Sequence, residues 1–217
     1  MIKIKKYDQE GQRLTLITDM SNSLANAIRR SVLEIPVLAI EDLEIFKNDS
    51  ALYDEIVAHR MGLIPIKTDK TSKEKMFKLK EKGPKTVYSS DLKPSIETDY
   101  KLPIVKLDEN QEIEVIANAK LGKGIEHIKY SPGLIYFRHN LDEEILDFVN
   151  IENGKIKFNE EELEGLDENL KDKIKKIKES NELIMEIESW RQFEVKEVFL
   201  KSIEILDENL KQLSKIK

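Results

Sequence analysis

Residues 21–66, SNSLANAIRRSVLEIPVLAIEDLEIFKNDSALYDEIVAHRMGLIPI, run through a helix stopped by a proline, an alternating strand and a short second helix. Ser21, Asn22 and Ser23 offer side-chain oxygens to the unpaired amides of a helix start, and Pro36 disfavours helical geometry at the residue before it. The spacing predicts a helix over about Leu24 to Ile35. Leu24, Ile28, Val32 and Ile35 recur every three or four residues and share one face, whereas Arg29 and Arg30 point elsewhere. Such a stripe packs on the chain's own sheet or on a partner. Val37 to Phe46 alternates as a strand. Ser50, in the run Asn48-Asp49-Ser50, is placed to cap a helix over Leu52 to Arg60, and Gly62 fits the left-handed position that ends it.

Outward from this stretch, Ile2 and Ile4 alternate with lysines and Leu14 and Leu16 with threonines, so Glu10-Gly11-Gln12 reads as the turn of an opening hairpin. Leu183 to Glu188 reads as a late strand. Between the ends lie strand-like runs at Thr86 to Ser89, Pro103 to Leu107, Ile113 to Ala117 and Leu134 to Phe137, and Asn153-Gly154 signals a two-residue hairpin turn. Leu163, Leu166, Leu170, Ile174 and Ile177 mark an amphipathic helix. The fold class is α+β. Residues 1–46 and 181–217 form a split unit, a sheet with two helices, interrupted by an inserted α+β domain over 47–180.

The last helix, about Phe193 to Lys215, has no glycine or proline and would be a rod of about 34 Å. Val195, Phe199, Ser202, Leu206, Leu210 and Leu213 step along one side of it. Packing of only its first half at home would leave the second half for a partner.

Composition bounds the function. A chain of 217 residues that is 40% hydrophobic is a folded globular protein. No run of eighteen apolar residues occurs and MIKIKKYDQE lacks an apolar signal core, so the expectation is a cytoplasmic protein without a membrane span. With no cysteine, this chain holds no disulfide, thiolate zinc site or iron-sulfur cluster. A net charge of −6 lacks the basic excess with which a protein grips nucleic acid alone. The basic run Lys171 to Lys178 reads as the solvated side of a helix.

No catalytic constellation emerges. Glu41, Asp42 and Glu44 lie on a strand whose neighbours face opposite sides, so they read as a solvated edge rather than a magnesium cluster. Leu121-Gly122-Lys123-Gly124 lacks phosphate-loop spacing and reads as a turn. His59, His127 and His139 form no helical ligand pair. Trp190, at the entry to the last helix, reads as core.

The strings Asn26-Ala27-Ile28-Arg29-Arg30, Ile35-Pro36-Val37-Leu38-Ala39-Ile40 and Asp54-Glu55-Ile56-Val57-Ala58-His59-Arg60-Met61-Gly62-Leu63-Ile64-Pro65 resemble the family of D-type subunits of archaeal DNA-directed RNA polymerase. Its counterparts are the eukaryotic third subunit and the amino-terminal domain of bacterial alpha. The resemblance continues through Gly83 to Leu92, Glu126 to Pro132 and Glu188-Ser189-Trp190, in the same order along nearly the whole chain.

The resemblance implies a non-catalytic assembly subunit of a nucleotidyltransferase complex. The split dimerisation unit would pair with a small L-type subunit through Leu24, Ile28, Val32, Phe199, Leu206 and Leu210. Arg29, Arg30, His59 and Arg60 would face a large subunit. The pair would be the platform for the two large catalytic subunits, alongside other small subunits, with DNA reached only through the complex. No cofactor is expected in this chain. Two departures stand out: the cysteine-rich insertion of many members is absent from Leu141 to Ser180, where the helix at Glu160 to Lys178 would fill its space, and Arg191 occupies a position where relatives often have glycine. From the residues alone, a homodimeric binding or regulatory module using the same helix seam is the alternative.

Overall fold

The computed structural model describes residues 1–69, 71–140, 149–152, 155–158, 168, 171–172 and 182–215. Along the chain come β1 (Ile2–Asp8), β2 (Arg13–Thr18), α1 (Asn22–Ser31), β3 (Val37–Asn48), α2 (Asp54–Gly62), β4 (Lys75–Lys82), β5 (Lys85–Tyr88), β6 (Pro103–Leu107), β7 (Glu112–Gly122), β8 (Gly133–His139), β9 (Val149–Glu152), β10 (Lys155–Phe158), β11 (Leu183–Ser189) and α3 (Val195–Leu213). All strand pairs are antiparallel, and the class is α+β.

Two larger sheets carry the described structure. One has the order β1-β2-β11-β8 and the other β3-β7-β4, with β5-β6 and β9-β10 as separate pairs. The opening hairpin and the late strand thus pair as their alternation predicts, β2 against β11. β3 departs from the grouping read in sequence. It is hydrogen-bonded to β7 instead of joining the terminal strands, and mid-chain β8 completes the terminal sheet. The hairpin β9-β10 brackets Asn153-Gly154, but those two residues lie outside the described ones, as do most of the amphipathic helix marked by Leu163 to Ile177 and of the basic run after Asp172.

Local chemistry explains the junctions. Ser21 caps α1 by accepting the Leu24 amide at 3.3 Å, and the helix tightens into a single 3-10 turn, Val32–Glu34, ahead of Pro36. Ser50 does not cap α2. Its hydroxyl donates to Asn48 Oδ1 at 2.6 Å, and Asn48 Nδ2 reaches Asp54 Oδ1 at 2.8 Å, so Asn48-Asp49-Ser50 is a side-chain-stabilised turn between β3 and the helix. Nor does Gly62 adopt left-handed geometry; α2 runs on to it and ends at Leu63 with φ −90°.

Two hydrophobic cores result. One gathers Leu14, Leu16, Ala25, Ile28, Val32, Met185 and Phe199 between the terminal sheet and the helices. The other gathers Met61, Phe77, Leu79, Val87, Leu107 and Val115 beneath the second sheet. The start of β3 belongs to both: Val37 and Ala39 enter the first core, while Leu38 and Ile40 enter the second. Side chains of a strand alternate between faces, and here both faces are buried. At the other crossing, Thr68 Oγ1 accepts the Leu38 amide at 3.1 Å and the Thr68 amide donates to the Gln192 carbonyl at 2.9 Å.

Candidate functional site

The first element of the site is the helix pair α1–α3, which pack on each other over the terminal sheet. α3 is started from a distance: Gln12, held at φ 50° in the β1–β2 turn, accepts the Val195 amide at 2.9 Å and donates to Glu194 Oε2 at 2.9 Å. An amide side chain from another element thereby does the work of a local cap.

Of the six apolar residues read as a seam, Ile28, Val32 and Phe199 are buried in this chain's own core and Leu206 is half-buried against it. Leu24, 45% exposed, and Leu210, 55% exposed, stand at the surface, with Leu213 beyond them near the end of α3.

The basic residues are placed on two elements. On α1, Arg29 turns back, its Nε and Nη2 donating to Asn26 Oδ1 at 3.1 and 2.9 Å, whereas Arg30 is exposed with no bonded partner among the described residues. His59 and Arg60 lie at the end of α2, where Arg60 Nη2 donates to the Pro103 carbonyl at 2.6 Å. α2 buries only Val57 and Met61, and Tyr53, 81% exposed, begins an outer row with Ile56, Arg60 and Leu63. Sequence reading missed this row. The signal was available, since apolar residues at 53, 56 and 63 fall off the Val57–Met61 face at helical spacing.

His59 and His127 line one groove of about 230 Å³ with Asp42, Leu63 and Lys129. Among the described residues no group of three histidines or carboxylates could hold a metal ion. His139 ends β8 opposite Leu183, away from that groove. Trp190, read as core, is instead exposed; Gln192 and Phe193, just after it, take the buried positions.

At the groove's edge the β3 ladder shifts register between Ile40 and Asp42, and Glu41 is the extra residue. The bulge swings its carboxylate out of the edge position read in sequence and into a cluster. Lys129 pairs with Oε2, the Tyr130 hydroxyl donates to the same oxygen at 2.6 Å, and Lys120 lies 3.0 Å from Oε1. The Lys129 bond first, and the Tyr130 bond second, hold the Glu41 carboxyl down at about 2. Burial, then the hydrogen bond to Glu41, push the Tyr130 phenol up. Tyr130 lies flat on Gly122 at the end of β7, where a Cβ would stand 2.5 Å from its ring. Every charge here is satisfied internally, so the cluster fixes geometry and offers no reactive group.

Residues 40–137 match the family model of the RNA polymerase Rpb3/RpoA insert domain. The chain is 40% identical over 153 residues to DNA-directed RNA polymerase subunit Rpo3 of Methanocaldococcus jannaschii, a match covering 68% of this chain and 80% of that protein. The chain belongs to the Rpo3 family of DNA-directed RNA polymerase subunits. It is 40% identical over 156 residues to the Rpo3 of Pyrococcus horikoshii and 39% identical over 140 residues to that of Thermococcus kodakarensis. It spans 60% and 54% of the length of those two relatives. The insert-domain match takes in β3 from Ile40 onward, α2 and the Glu41–Tyr130 cluster, while α1 and α3 lie outside it. This Rpo3-family chain has no cysteine and so offers no thiolate to ligate an iron-sulfur cluster. No helix among the described residues is long and apolar enough to cross a membrane.

Proposed function

We propose that this chain is a non-catalytic assembly subunit of a cytoplasmic DNA-directed RNA polymerase. In this reading residues 1–46 and 181–217, completed by β8, form a split dimerisation unit, and 47–180 form the insertion. The unit pairs with a small L-type subunit through the α1–α3 surface. Arg30, with Arg29 behind it, and the α2 row containing His59 and Arg60 face the two large catalytic subunits. DNA is reached only through the assembly, and the chain brings no cofactor of its own.

The observation that carries this reading is the outer end of α3. Its last two turns leave Leu210 and Leu213 uncovered, in a chain of the Rpo3 family. Covering about 400 Å² of such surface would contribute on the order of 10 kcal/mol gross, against association and ordering costs of similar size.

The test is the native mass of the complex recovered by a mild pull-down on this chain at its natural expression level. One small and two very large companions are expected. Recovery as a lone homodimer would overturn the polymerase reading in favour of a self-contained binding module.

A further inference from the structure

Glu197, Lys201, Glu204 and Glu208, spaced four, three and four residues along α3, share one flank, turned about half a turn from Leu206, Leu210 and Leu213. This flank is therefore not the seam read for the small subunit. It walls a trough where the terminal unit meets the insertion. One hollow of about 260 Å³ lies against Ile35, Pro36, Leu121 and Ile205, and a second of about 230 Å³ continues it past Gln192 to Glu194 and Glu197. Thr68, Asp69 and Phe193 line both, so the two form one channel. Leu121 is 42% exposed in it.

The rim is acidic. Asp69, Glu194, Glu197, Glu204 and Glu208 line the trough without an ion-pair partner among the described residues. The remaining carboxylate, Glu97, pairs with Lys75. The cations of the trough are already engaged: Lys67 lies 2.7 Å and Arg191 3.9 Å from Asp99, and Lys201 stands 4.8 Å over the Phe193 ring. An acceptor in the wall is unanswered as well, since Gln192 is 5% exposed and its Oε1 meets no donor among the described residues.

Hollows of this size admit side chains and not a helix about 10 Å across. From Glu194 to Glu208 the chain rises about 21 Å, the span of about six residues of extended chain. A nucleic-acid backbone would be repelled by the rim. The geometry points to this trough as the seat of a basic, extended segment of a further subunit of the assembly, with lysine or arginine stems lying on Leu121 and Ile205 and their cationic heads at Glu197, Glu204 and Glu208. This rests on the assembly proposed above and adds a partner face apart from the α3 seam and from Arg30.

The test uses the complex recovered on the full chain, with Leu121→p-benzoylphenylalanine or, separately, Lys201→p-benzoylphenylalanine as a photo-crosslinking probe. Light is expected to join the chain to a further companion subunit, within a stretch of net positive charge. Glu204→Lys with Glu208→Lys is expected to cut that yield about tenfold, because both carboxylates are exposed and line the trough. Asp108→Lys with Glu109→Lys, the same change of charge beyond the other end of β7 from Leu121, is expected to leave it unchanged. Circular dichroism confirms that each variant folds. In a recovered assembly, no crosslink from either probe, or one to a neutral or acidic peptide, to nucleic acid, to a second copy of this chain or to the small subunit paired at the α3 seam, would overturn the trough while leaving the assembly intact. So would a yield that Glu204→Lys with Glu208→Lys does not lower, or an equal loss in the Asp108/Glu109 variant. Recovery of a lone homodimer would bring down the assembly itself.

Discussion

The hydroxyl of Tyr130 donates to the carboxylate of Glu41 across 2.6 Å, joining the turn before β8 to the bulge in β3. Eighty-nine residues separate the two in sequence. Since the Glu41 carboxyl is held at about 2 in the folded protein against 4.5 ordinarily, its contribution is complete above about pH 4.5 and drains away as the pH falls toward 2. After solvent screening this amounts to about 1–2 kcal/mol. Urea unfolding at pH 6 and pH 3 is expected to show the wild type losing more than half of that amount relative to Glu41→Gln, whose side chain does not titrate.

Gly122→Ala places a methyl group 2.5 Å from the Tyr130 ring. The ring must lift, costing about 1–3 kcal/mol by overpacking and pulling the hydroxyl away from Glu41. The variant should unfold at lower urea, and its deficit should shrink in the Glu41→Gln background, because the two changes disable one interaction.

Arg191 holds φ 72°, a left-handed conformation natural to glycine. Its side chain compensates: the guanidinium donates to the Glu10 carbonyl, lies 3.9 Å from Asp99 Oδ2 and sits over the Tyr100 ring at 5.3 Å. Arg191→Ala keeps the strain and loses the ties, whereas Arg191→Gly loses both. The glycine variant is therefore expected to be more stable than the alanine variant by about 1 kcal/mol in equilibrium unfolding.

The six seam residues should separate by what they touch. Ile28→Ala or Phe199→Ala is expected to cost the isolated chain about 2–4 kcal/mol, because each opens a cavity in its own core. Leu24→Asp with Leu210→Asp should change that stability by only about 0.5 kcal/mol and abolish recovery of the small companion. Equal destabilisation by the two classes would mean that α3 folds onto more of its own chain than the exposure of Leu210 allows.

Arg30→Glu is expected to release the large companions in the pull-down while sparing the small one. The side chain has nothing to lose at home, being exposed and unpaired among the described residues. Loss of the small companion as well would argue against separate faces for the two partners.

Periodicity made α1, α3 and the opening hairpin legible, because there the apolar residues recur at helical or alternate spacing without interruption. β4 was not read. Phe77 and Leu79 do alternate, but they are set among lysines whose solvation dominates the local composition. Pairing partners were the least legible. Nothing within Val37 to Phe46 tells the chain that β7 is its neighbour, since that choice depends on contacts some 75 residues away. The placement of a residue was readable where it depended on a motif: Arg29 and Arg30 fall on α1 and His59-Arg60 at the end of α2. It was hidden where one extra residue redirected a side chain: in an unbroken strand Glu41 would be the solvated edge group that its neighbours suggest. Burial was equally hidden, because a helical stripe does not announce whether its own sheet or another protein covers it.

The segment Val37–Ile40, which lends alternate side chains to two cores, sets a limit on modularity. An insertion held by flexible linkers could be exchanged between relatives like a cassette, with the receiving protein indifferent to what it carries. Here the first cut falls inside a strand that is interior to both halves. A transplanted insertion would have to bring a strand whose odd residues suit the host and whose even residues suit the guest. Chimeras joined after residue 36 or after residue 40 should therefore behave as different proteins, although only four side chains distinguish them.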